Sequence, residues 1–375
     1  MIFNSWPKII LFNIIVFLAC LLIIEVIFGD WFSKYNLGPY MRDHRLKKNP
    51  VVLLHENKTY NFFYERNYHG FRGKELDPSK IEAVIIGGST IDEKFTPIEF
   101  TITENLNILL KKKGHNFKIL NAGIAGQSTY GHIYNFKHWF PKLENFSPKL
   151  YIFYVGINDQ YATYKKIQDH YGLDKVIEDL KPSAGNILKN NNVSEELEIF
   201  LDNLKSRSFF SDKIKKMRIK YFYTGTKITY DLNYFIGANW EQVKEHKNYK
   251  YVNYTEALKI HNIKYLKHKH KKLITNYLNN IEILSNYATN NKATPIFITQ
   301  VLYDGLKASN LFILNYSLIE YCEKRNLSCI DLGKKLNGKI KYWYDAAHTS
   351  IQGSKVIAEV LIEDLDKIIK QKNLF

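Results

Sequence analysis

An apolar run that ends at two glycines constrains the fold of this chain most strongly. Residues 81–86 read Ile-Glu-Ala-Val-Ile-Ile, and Gly87, Gly88, Ser89 and Thr90 follow. A short apolar run ended by Gly-Gly is typical of a buried strand that enters a tight turn. The glycines remove two β-carbons, so the backbone can turn sharply and leave Ser89 at the carboxyl end of the strand. Open α/β sheets bind their ligands at that edge.

Further apolar segments of strand length follow, separated by stretches with helical spacing. They lie at residues 117–121, 150–155, 294–300 and 327–331. The segment 150–155 is apolar nearly throughout, as expected for a parallel strand that helices cover on both faces. The sequence therefore predicts an α/β fold: a three-layer α/β/α sandwich around a five-stranded parallel sheet in the flavodoxin-like order 2-1-3-4-5.

Signals for helix ends lie between these strands. Thr96 followed by Pro97 predicts a helix start with threonine as its cap, and Gly114 after three lysines predicts the helix end. The helices predicted further along the chain cover residues 129–143, about 308–325, and the stretch from about 349 toward the C-terminus.

Residues 9–28 form an apolar stretch of about 20 residues, which as a helix is long enough to cross a bilayer. Only Asn13 and Glu25 interrupt it. A cleaved signal peptide normally has a shorter apolar region that ends in small residues, and a lipoprotein site at Cys20 would require different residues before it. The stretch therefore predicts an uncleaved membrane anchor. Because long domains translocate regardless of charge, we expect the rest of the chain on the extracytoplasmic side.

Composition excludes some classes of partner. The net charge of +16 would attract anions, but lysine accompanies abundant asparagine and isoleucine, and zinc, homeodomain and RNA-binding signatures are missing. We therefore predict no nucleic-acid partner. The twelve histidines are scattered, which predicts no metal and no cofactor.

Cys322 and Cys329 could pair, but their expected positions on a helix and the next strand favour free buried thiols.

The chain has no low-complexity linker, which predicts one main domain with additions. We divide it into an anchor (1–30), a connecting segment (31–80) and a catalytic domain (81–375) with a helical insertion at about 161–290. The insertion holds Tyr221-Phe222-Tyr223 and Trp240, which are either its own core or a lid over the sheet edge. Arg72 lies in a Gly-x-x-Gly turn that His69 precedes, and a structural role for both is a simpler interpretation than a substrate role.

Polar residues gather where the strands end. Ser89 follows strand one, Gly126 lies in the Asn-Ala-Gly-Ile-Ala-Gly-Gln-Ser segment after strand two, and Asn158-Asp159 follows strand three. An Asp345-Ala-Ala-His348 loop precedes the last helix and returns to the same edge. A serine hydroxyl becomes nucleophilic when a histidine takes its proton, and a carboxylate must orient that histidine.

These four blocks together resemble the SGNH (GDSL-type) hydrolase family. The resemblance implies Ser89 as nucleophile, Asp345 and His348 as the other triad members, and an oxyanion hole formed by Ser89, Gly126 and Asn158. It makes Gly88 and Asp159 supporting residues. The usual Gly-Asp-Ser-Leu is Gly87-Gly88-Ser89-Thr90 here, as in membrane-anchored cell-envelope members of the family. The resemblance covers roughly residues 81–160 and 294–370.

The resemblance implies a serine esterase that forms an acyl-Ser89 intermediate. The expected substrate is an acylated carbohydrate, such as an O-acetylated envelope polysaccharide, or another small ester. An O-acyltransferase would use the same residues, and a non-catalytic glycan-binding or assembly factor could keep the fold without the reaction. A lipid esterase is a further alternative that the anchor suggests. Oligomeric state and acyl donor are not predicted.

Overall fold

The structure is a computed structural model that describes residues 6–32, 48–161, 204, 207–222, 225–229 and 250–375. Over this part of the chain eight strands form two sheets. The strands are β1 (Lys48–His55), β2 (Lys58–Glu65), β3 (Ala83–Gly87), β4 (Ile119–Asn121), β5 (Leu150–Tyr154), β6 (Thr226–Thr229), β7 (Thr294–Ile298) and β8 (Ser328–Ile330).

The larger sheet has five strands in the order β4-β3-β5-β7-β8, and each neighbouring pair is parallel. Numbered along the chain, this order is 2-1-3-4-5, so the predicted α/β fold and strand order are confirmed. All residues of β3 and β5 are buried, which explains why their sequences are apolar on both faces. The carboxyl ends of the five strands lie at one edge of the sheet.

Eleven α-helices occur within the same described residues. They are α1 (Trp6–Phe28), α2 (Ser89–Asp92), α3 (Ile102–Lys112), α4 (Thr129–His138), α5 (Phe209–Phe222), α6 (Tyr254–Ile260), α7 (Ile263–Lys269), α8 (Lys271–Asn290), α9 (Ser309–Arg325), α10 (Leu332–Lys335) and α11 (Ile351–Gln371).

Two buried clusters lie on opposite faces of the five-stranded sheet, because successive strand side chains point to opposite faces. Ile152 joins Leu106 of α3 and Leu361 of α11 in one cluster. Phe153 joins Ile281 of α8 in the other. Each aliphatic side chain that is fully buried in this way stabilises the fold by about 1.5–3 kcal/mol. The three layers of the predicted sandwich are therefore present.

Two of the predicted helix limits need correction. The helix after the Ser89 turn is capped by Thr101, whose Oγ1 accepts a hydrogen bond from the Glu104 amide at 3.3 Å, and not by Thr96. Thr96 instead precedes a short 3-10 turn, Ile98–Phe100, and its carbonyl accepts a hydrogen bond from Arg72. Helix α4 ends at His138, before the 3-10 turn Phe140–Lys142.

The segments outside the sandwich contain strands that the sequence did not predict. Strands β1 and β2 form an antiparallel hairpin within the predicted connecting segment, and β6, from the predicted insertion, pairs with β1 in parallel. Helix α8 lies in the same predicted insertion, yet its buried face packs on the five-stranded sheet. Tyr223 and Trp240, named above for the insertion, lie outside the described residues.

Cys322 of α9 and Cys329 of β8 form a disulfide, which corrects the expectation of free thiols. The short turn after α9 folds the chain back, so the helix end and the strand meet, a contact that sequence spacing alone does not reveal.

At the other end of the chain, α1 has a mean hydropathy of 3.0 over its most apolar 18 residues, and none of that window is buried. By length and composition α1 can span a membrane.

Candidate active site

Ser89 begins α2 directly after β3, at the carboxyl edge of the sheet. Gly88 precedes it and acts as the N-cap of α2. A β-carbon at position 88 would lie 2.5 Å from Nδ2 of Asn158 and 2.9 Å from the carbonyl oxygen of Gln127. Glycine is therefore required at position 88, because the segments after three strands converge there.

Asn158, which follows β5, binds the segment after β4. Its Nδ2 donates to the Gln127 carbonyl at 2.7 Å, and the same nitrogen faces the Gly88 position. Gly126, just before Gln127, has φ of +84°, the left-handed region that favours glycine. The structure thus brings Asn158 and the Gly126 turn together beside the residue that precedes Ser89.

Asp159 fastens the segments after β4 and β5 to each other. It is buried, and its Oδ1 accepts hydrogen bonds from the Thr129 hydroxyl at 2.6 Å and the Thr129 amide at 3.1 Å. Asn280 of α8 donates to the same hydroxyl at 2.9 Å. Burial raises the pKa of Asp159 to about 6, although the hydrogen bonds from Thr129 oppose this rise. These contacts tie the segment after β5 to α4 and α8.

His348 and Asp345 form a hydrogen-bonded pair on the loop before α11. His348 Nδ1 lies 2.7 Å from Asp345 Oδ2, while Asp345 Oδ1 accepts the backbone amides of Ala347 at 2.8 Å and His348 at 2.7 Å. Burial acts to raise the pKa of Asp345, but the hydrogen bonds and the positive charge of His348 outweigh it and lower that pKa. An ionised Asp345 fixes the proton on Nδ1, so Nε2 is the nitrogen that can accept one.

Glu93 links the Ser89 turn to the histidine loop. Its amide donates to the Ser89 carbonyl at 2.8 Å. Its Oε1 accepts hydrogen bonds from Ser354 at 2.5 Å and from Thr349, the residue after His348, at 3.4 Å. Burial raises the pKa of Glu93 to about 7, against the effect of these hydrogen bonds. Glu93 was not singled out in the sequence, where Asp-Glu-Lys looks like a solvated turn.

Gln300 connects the serine turn to the Asn158 segment. Its Nε2 donates to the Thr90 hydroxyl at 2.8 Å, and its Oε1 accepts the Ile157 amide at 2.8 Å. Asn315 of α9 donates to the Gln300 carbonyl at 2.7 Å. Gln300 was not predicted from the sequence as a neighbour of the site. A polar side chain at the carboxyl end of the fourth predicted strand, at the same sheet edge, was the signal that could have found it.

Arg72 binds backbone carbonyls at the end of α2 and just after it. Its guanidinium donates to the carbonyls of Asp92, Glu93 and Thr96, the second of these at 2.7 Å. The Asp92 side chain is in turn bound by Arg66 at 2.9 Å. These buried contacts agree with the structural interpretation of the Gly-x-x-Gly turn. They also make the connecting segment part of what supports Ser89.

The reacting groups themselves are joined only in part. Asp345 and His348 contact each other, and Asn158 adjoins Gly88. The Ser89 side chain makes no hydrogen bond within the part of the chain that the structure describes, and the Ser89 to His348 contact stays a prediction, as does the oxyanion role of the Gly126 amide.

Within the described residues, no three His, Cys, Asp or Glu side chains are grouped so that they could hold a metal ion. The groups that the structure brings to this sheet edge are a half-buried serine at a strand end, an imidazole bound by a carboxylate, and an asparagine amide.

Comparison with known proteins found similar solved structures, whereas no family model and no curated protein matches. A member of the lipolytic G-D-S-L family from Veillonella parvula is 13% identical, with 76% of this chain and 97% of that chain covered and a TM-score of 0.38. The esterase EstA from Pseudoalteromonas is 11% identical, covering 77% and 98%, with a TM-score of 0.40. A mutant of the acetyl-xylooligosaccharide esterase Axe2 from Geobacillus is 11% identical, covering 76% and 95%, with a TM-score of 0.40.

Proposed function

We propose that this chain is a serine esterase that hydrolyses O-acyl esters through an acyl-Ser89 intermediate. The observation that carries the proposal is the hydrogen-bonded pair of His348 and Asp345, whose loop is tied through Thr349 and Glu93 to the turn that bears Ser89. An imidazole with its Nδ1 proton held by a carboxylate is a general base at Nε2.

In the first half of the proposed reaction, Nε2 of His348 takes the proton of the Ser89 hydroxyl while the oxygen attacks the ester carbonyl carbon. The ionised Asp345 stabilises the imidazolium that forms. The carbonyl π electrons move to the oxygen and give a tetrahedral oxyanion. When that intermediate collapses, the imidazolium returns its proton to the departing alkoxide, which leaves as an alcohol.

The oxyanion requires donors that are in place before the reaction. The Ser89 amide is at the first turn of α2, where helix amides lack partners within the helix. An asparagine Nδ2 carries two hydrogens, and for Asn158 one of them goes to the Gln127 carbonyl, which fixes the direction of the other. We assign the third donor to the Gly126 amide.

In the second half, water replaces the alcohol. Nε2 of His348 takes a proton from the water while the water oxygen attacks the acyl carbon. When the second tetrahedral intermediate collapses, the bond from the acyl carbon to Ser89 Oγ breaks, the imidazolium returns the proton to that oxygen, and a carboxylic acid is released. The overall change is one ester and one water converted to one alcohol and one acid.

For the substrate, we propose an O-acetylated polysaccharide or glycoconjugate of the cell envelope, on the extracytoplasmic side of a membrane that α1 spans. Two observations support the location. Helix α1 is long and apolar enough to cross a bilayer, and the Cys322–Cys329 disulfide is of a kind that persists in oxidising compartments. Alkylation of the protein after denaturation without reductant is expected to modify Cys20 alone, and modification of Cys322 would contradict this location.

The test uses the full chain in detergent with an activated acetyl ester, beside Ser89→Ala. We expect acetate release together with a transient acetyl adduct in the intact mass, and the loss of both in the variant. No release and no adduct from a folded protein would contradict the serine mechanism and favour a non-catalytic glycan-binding or assembly factor.

The same assay separates the remaining alternatives. Adding an oligosaccharide acceptor would reveal an O-acyltransferase, because the acetyl group would then appear on the sugar faster than acetate appears in solution. A higher rate of cleavage for long-chain esters than for acetyl esters would favour a lipid esterase. The proposed function predicts that an O-acetylated glycan is deacetylated faster than the activated acetyl ester or the long-chain esters are cleaved.

A further inference from the structure

Helix α5, Phe209–Phe222, begins against the end of the apolar helix α1. The Glu25 carboxylate of α1 accepts the amide of Phe209 at 3.0 Å and that of Phe210 at 3.2 Å, so it caps α5 at the positive end of its helix dipole. The rings of Phe28 and Phe209 are 5.5 Å apart. The α5 helix therefore starts at the point where α1 ends.

An apolar stripe on α5 faces solvent. Ile214, Met217 and Tyr221 follow each other at spacings of three and four residues, which puts them on one face of the helix. Their exposed fractions are 53%, 52% and 67%, and Phe222 at the end of the helix is 82% exposed. Exposed apolar residues that form a continuous stripe mark an interaction surface, whereas single ones are ordinary.

The charge of α5 indicates what covers this stripe. The helix sequence holds five Lys or Arg and one Asp. Lys213 and Arg218, beside the stripe, are exposed. An apolar face bordered by cations is typical of helices that lie in the plane of a membrane surface, where the cations meet anionic headgroups. The position of α5 at the end of a helix that can span a bilayer points to the same partner.

We propose that α5 is an interfacial helix, which lies on an anionic lipid surface with Ile214, Met217 and Tyr221 in the boundary between headgroups and acyl chains. The proposal rests on α1 being the membrane anchor of the proposed function. In this arrangement the Glu25 carboxylate is satisfied by the α5 amides at the boundary, where a free carboxylate would face poorly hydrated surroundings.

A second membrane contact has a consequence for the candidate active site. Strand β6 follows α5 after a few residues and pairs with β1. The hairpin partner of β1, β2, carries Tyr64, whose hydroxyl donates to Asp92 of the Ser89 helix at 2.6 Å. Hydrogen bonds thus link β6, the strand that follows α5 in the chain, to the serine turn. With both α1 and α5 in contact with the membrane, the distance of the carboxyl edge of the five-stranded sheet from the membrane and its orientation are both fixed. A single anchor through α1 would leave them free.

The test measures the depth of single labelled cysteines in the full-length protein reconstituted in vesicles. Cys20 is replaced by serine, and Met217→Cys carries an environment-sensitive fluorophore. The matched control is Ile108→Cys on α3, a residue of similar exposure at 49% that lies on the sandwich. The third sample is the otherwise native protein labelled at Cys20, which is exposed on α1. Vesicles contain brominated phosphatidylcholine with or without phosphatidylglycerol.

With phosphatidylglycerol, we expect the Met217→Cys label to be quenched by brominated lipid and shielded from aqueous iodide, and the Ile108→Cys label to show the opposite. Without the anionic lipid, the difference should shrink. If the Cys20 label is quenched but the Met217→Cys label behaves like the control, the anchor inserts and the proposal for α5 is overturned.

Two other results would also overturn the proposal. Shielding of the Met217→Cys label from iodide without quenching by lipid would mean that protein covers the stripe. Failure of the Cys20 label to be quenched would remove α1 from the membrane, and the proposal for α5 with it, while leaving the esterase chemistry untouched.

Discussion

The reacting side chains and the buried side chains beneath them are held in different ways. Asp345 and His348 are three residues apart and bind each other directly. Gln300, in contrast, binds Thr90 at a separation of 210 residues, and Glu93 binds Ser354 at a separation of 261. The Asp345–His348 pair is therefore local in the sequence, whereas its placement relative to the turn that bears Ser89 depends on contacts between distant segments.

Burial separates the two groups as well. Ser89 and His348 are half-buried, as groups that meet a substrate must be, whereas Glu93 and Gln300 are each 3% exposed. Removing a reacting group should cost rate with little loss of stability. Removing a buried polar group should cost stability first, because its former partners are left unsatisfied. Substitutions of Asp345, Asn158, Glu93 and Gln300 should therefore separate loss of rate from loss of stability.

Asp345→Asn is expected to lower kcat on the order of 10⁴-fold, because an amide no longer holds the Nδ1 proton of His348 in the required tautomer. The melting temperature should change little, since the backbone amides of Ala347 and His348 keep an oxygen acceptor. Steady-state kinetics with the activated ester and thermal unfolding check both statements. Activity within tenfold of the native value would remove Asp345 from the triad.

Asn158→Ala is expected to lower kcat by about 10²- to 10³-fold, because one oxyanion donor is lost, while KM stays nearly unchanged. The variant also leaves the Gln127 carbonyl without its donor at 2.7 Å, so a modest loss of stability should accompany the loss of rate. Measuring kcat and KM separately checks this. An effect confined to KM would mean that Asn158 binds the ground state of the substrate instead.

Glu93 should make folding depend on pH. Burial raises its pKa from 4.5 to about 7, so between these values the folded protein holds a proton that the unfolded chain has lost. The free energy of unfolding therefore falls as the pH rises across this window, by about 3 kcal/mol from this group. Glu93→Gln should remove that part of the slope in urea unfolding.

Asp159, with a pKa of about 6, contributes a slope of the same sign in both proteins, so the difference between them isolates Glu93. Equal slopes in the native protein and Glu93→Gln would mean that Glu93 is ionised in the folded state across the whole window, and that its hydrogen bonds outweigh its burial.

Gln300→Leu is expected to cost about 1–3 kcal/mol of stability, because the Ile157 amide and the Thr90 hydroxyl lose their partner. It should also lower kcat of the folded protein by about tenfold, since both neighbours of the reacting groups are released.

Asn107→Leu is the matched control for this prediction. Asn107 is a buried amide that binds the Ile119 backbone at 2.8 and 3.1 Å, away from the candidate site. We expect a similar loss of stability and an unchanged kcat. If both variants lower kcat equally, the effect of Gln300 is general loosening of the fold and not positioning of the site.

The five-stranded sheet could be predicted because its signals are local. Apolar runs such as 150–155 and the glycines after β3 are properties of a few neighbouring residues. The helix start was harder, since Thr96 and Thr101 both precede apolar residues with helical spacing. The carbonyl of Thr96 is bound by Arg72, and Thr101 is left to cap α3. A contact from outside the helix thus decided between two equivalent local signals.

The β1–β2 hairpin, the disulfide and the roles of Glu93 and Gln300 were not predicted. Each depends on segments that meet only after the chain has folded: β1 with β6, Cys322 with Cys329, and the loops at the sheet edge with each other. A polar residue in a loop looks the same in the sequence whether it is solvated or buried against a partner.

The sequence alone predicted the α/β class and the strand order, because strand periodicity and glycine turns are short-range patterns, and the resemblance of four short blocks to a hydrolase family supplied the candidate reacting residues. Only the tertiary structure showed which buried contacts join the segments that carry those residues. Buried polar partners separated by more than two hundred residues are selected by packing and by the cost of leaving a donor or acceptor unsatisfied, and neither acts until the sandwich has formed.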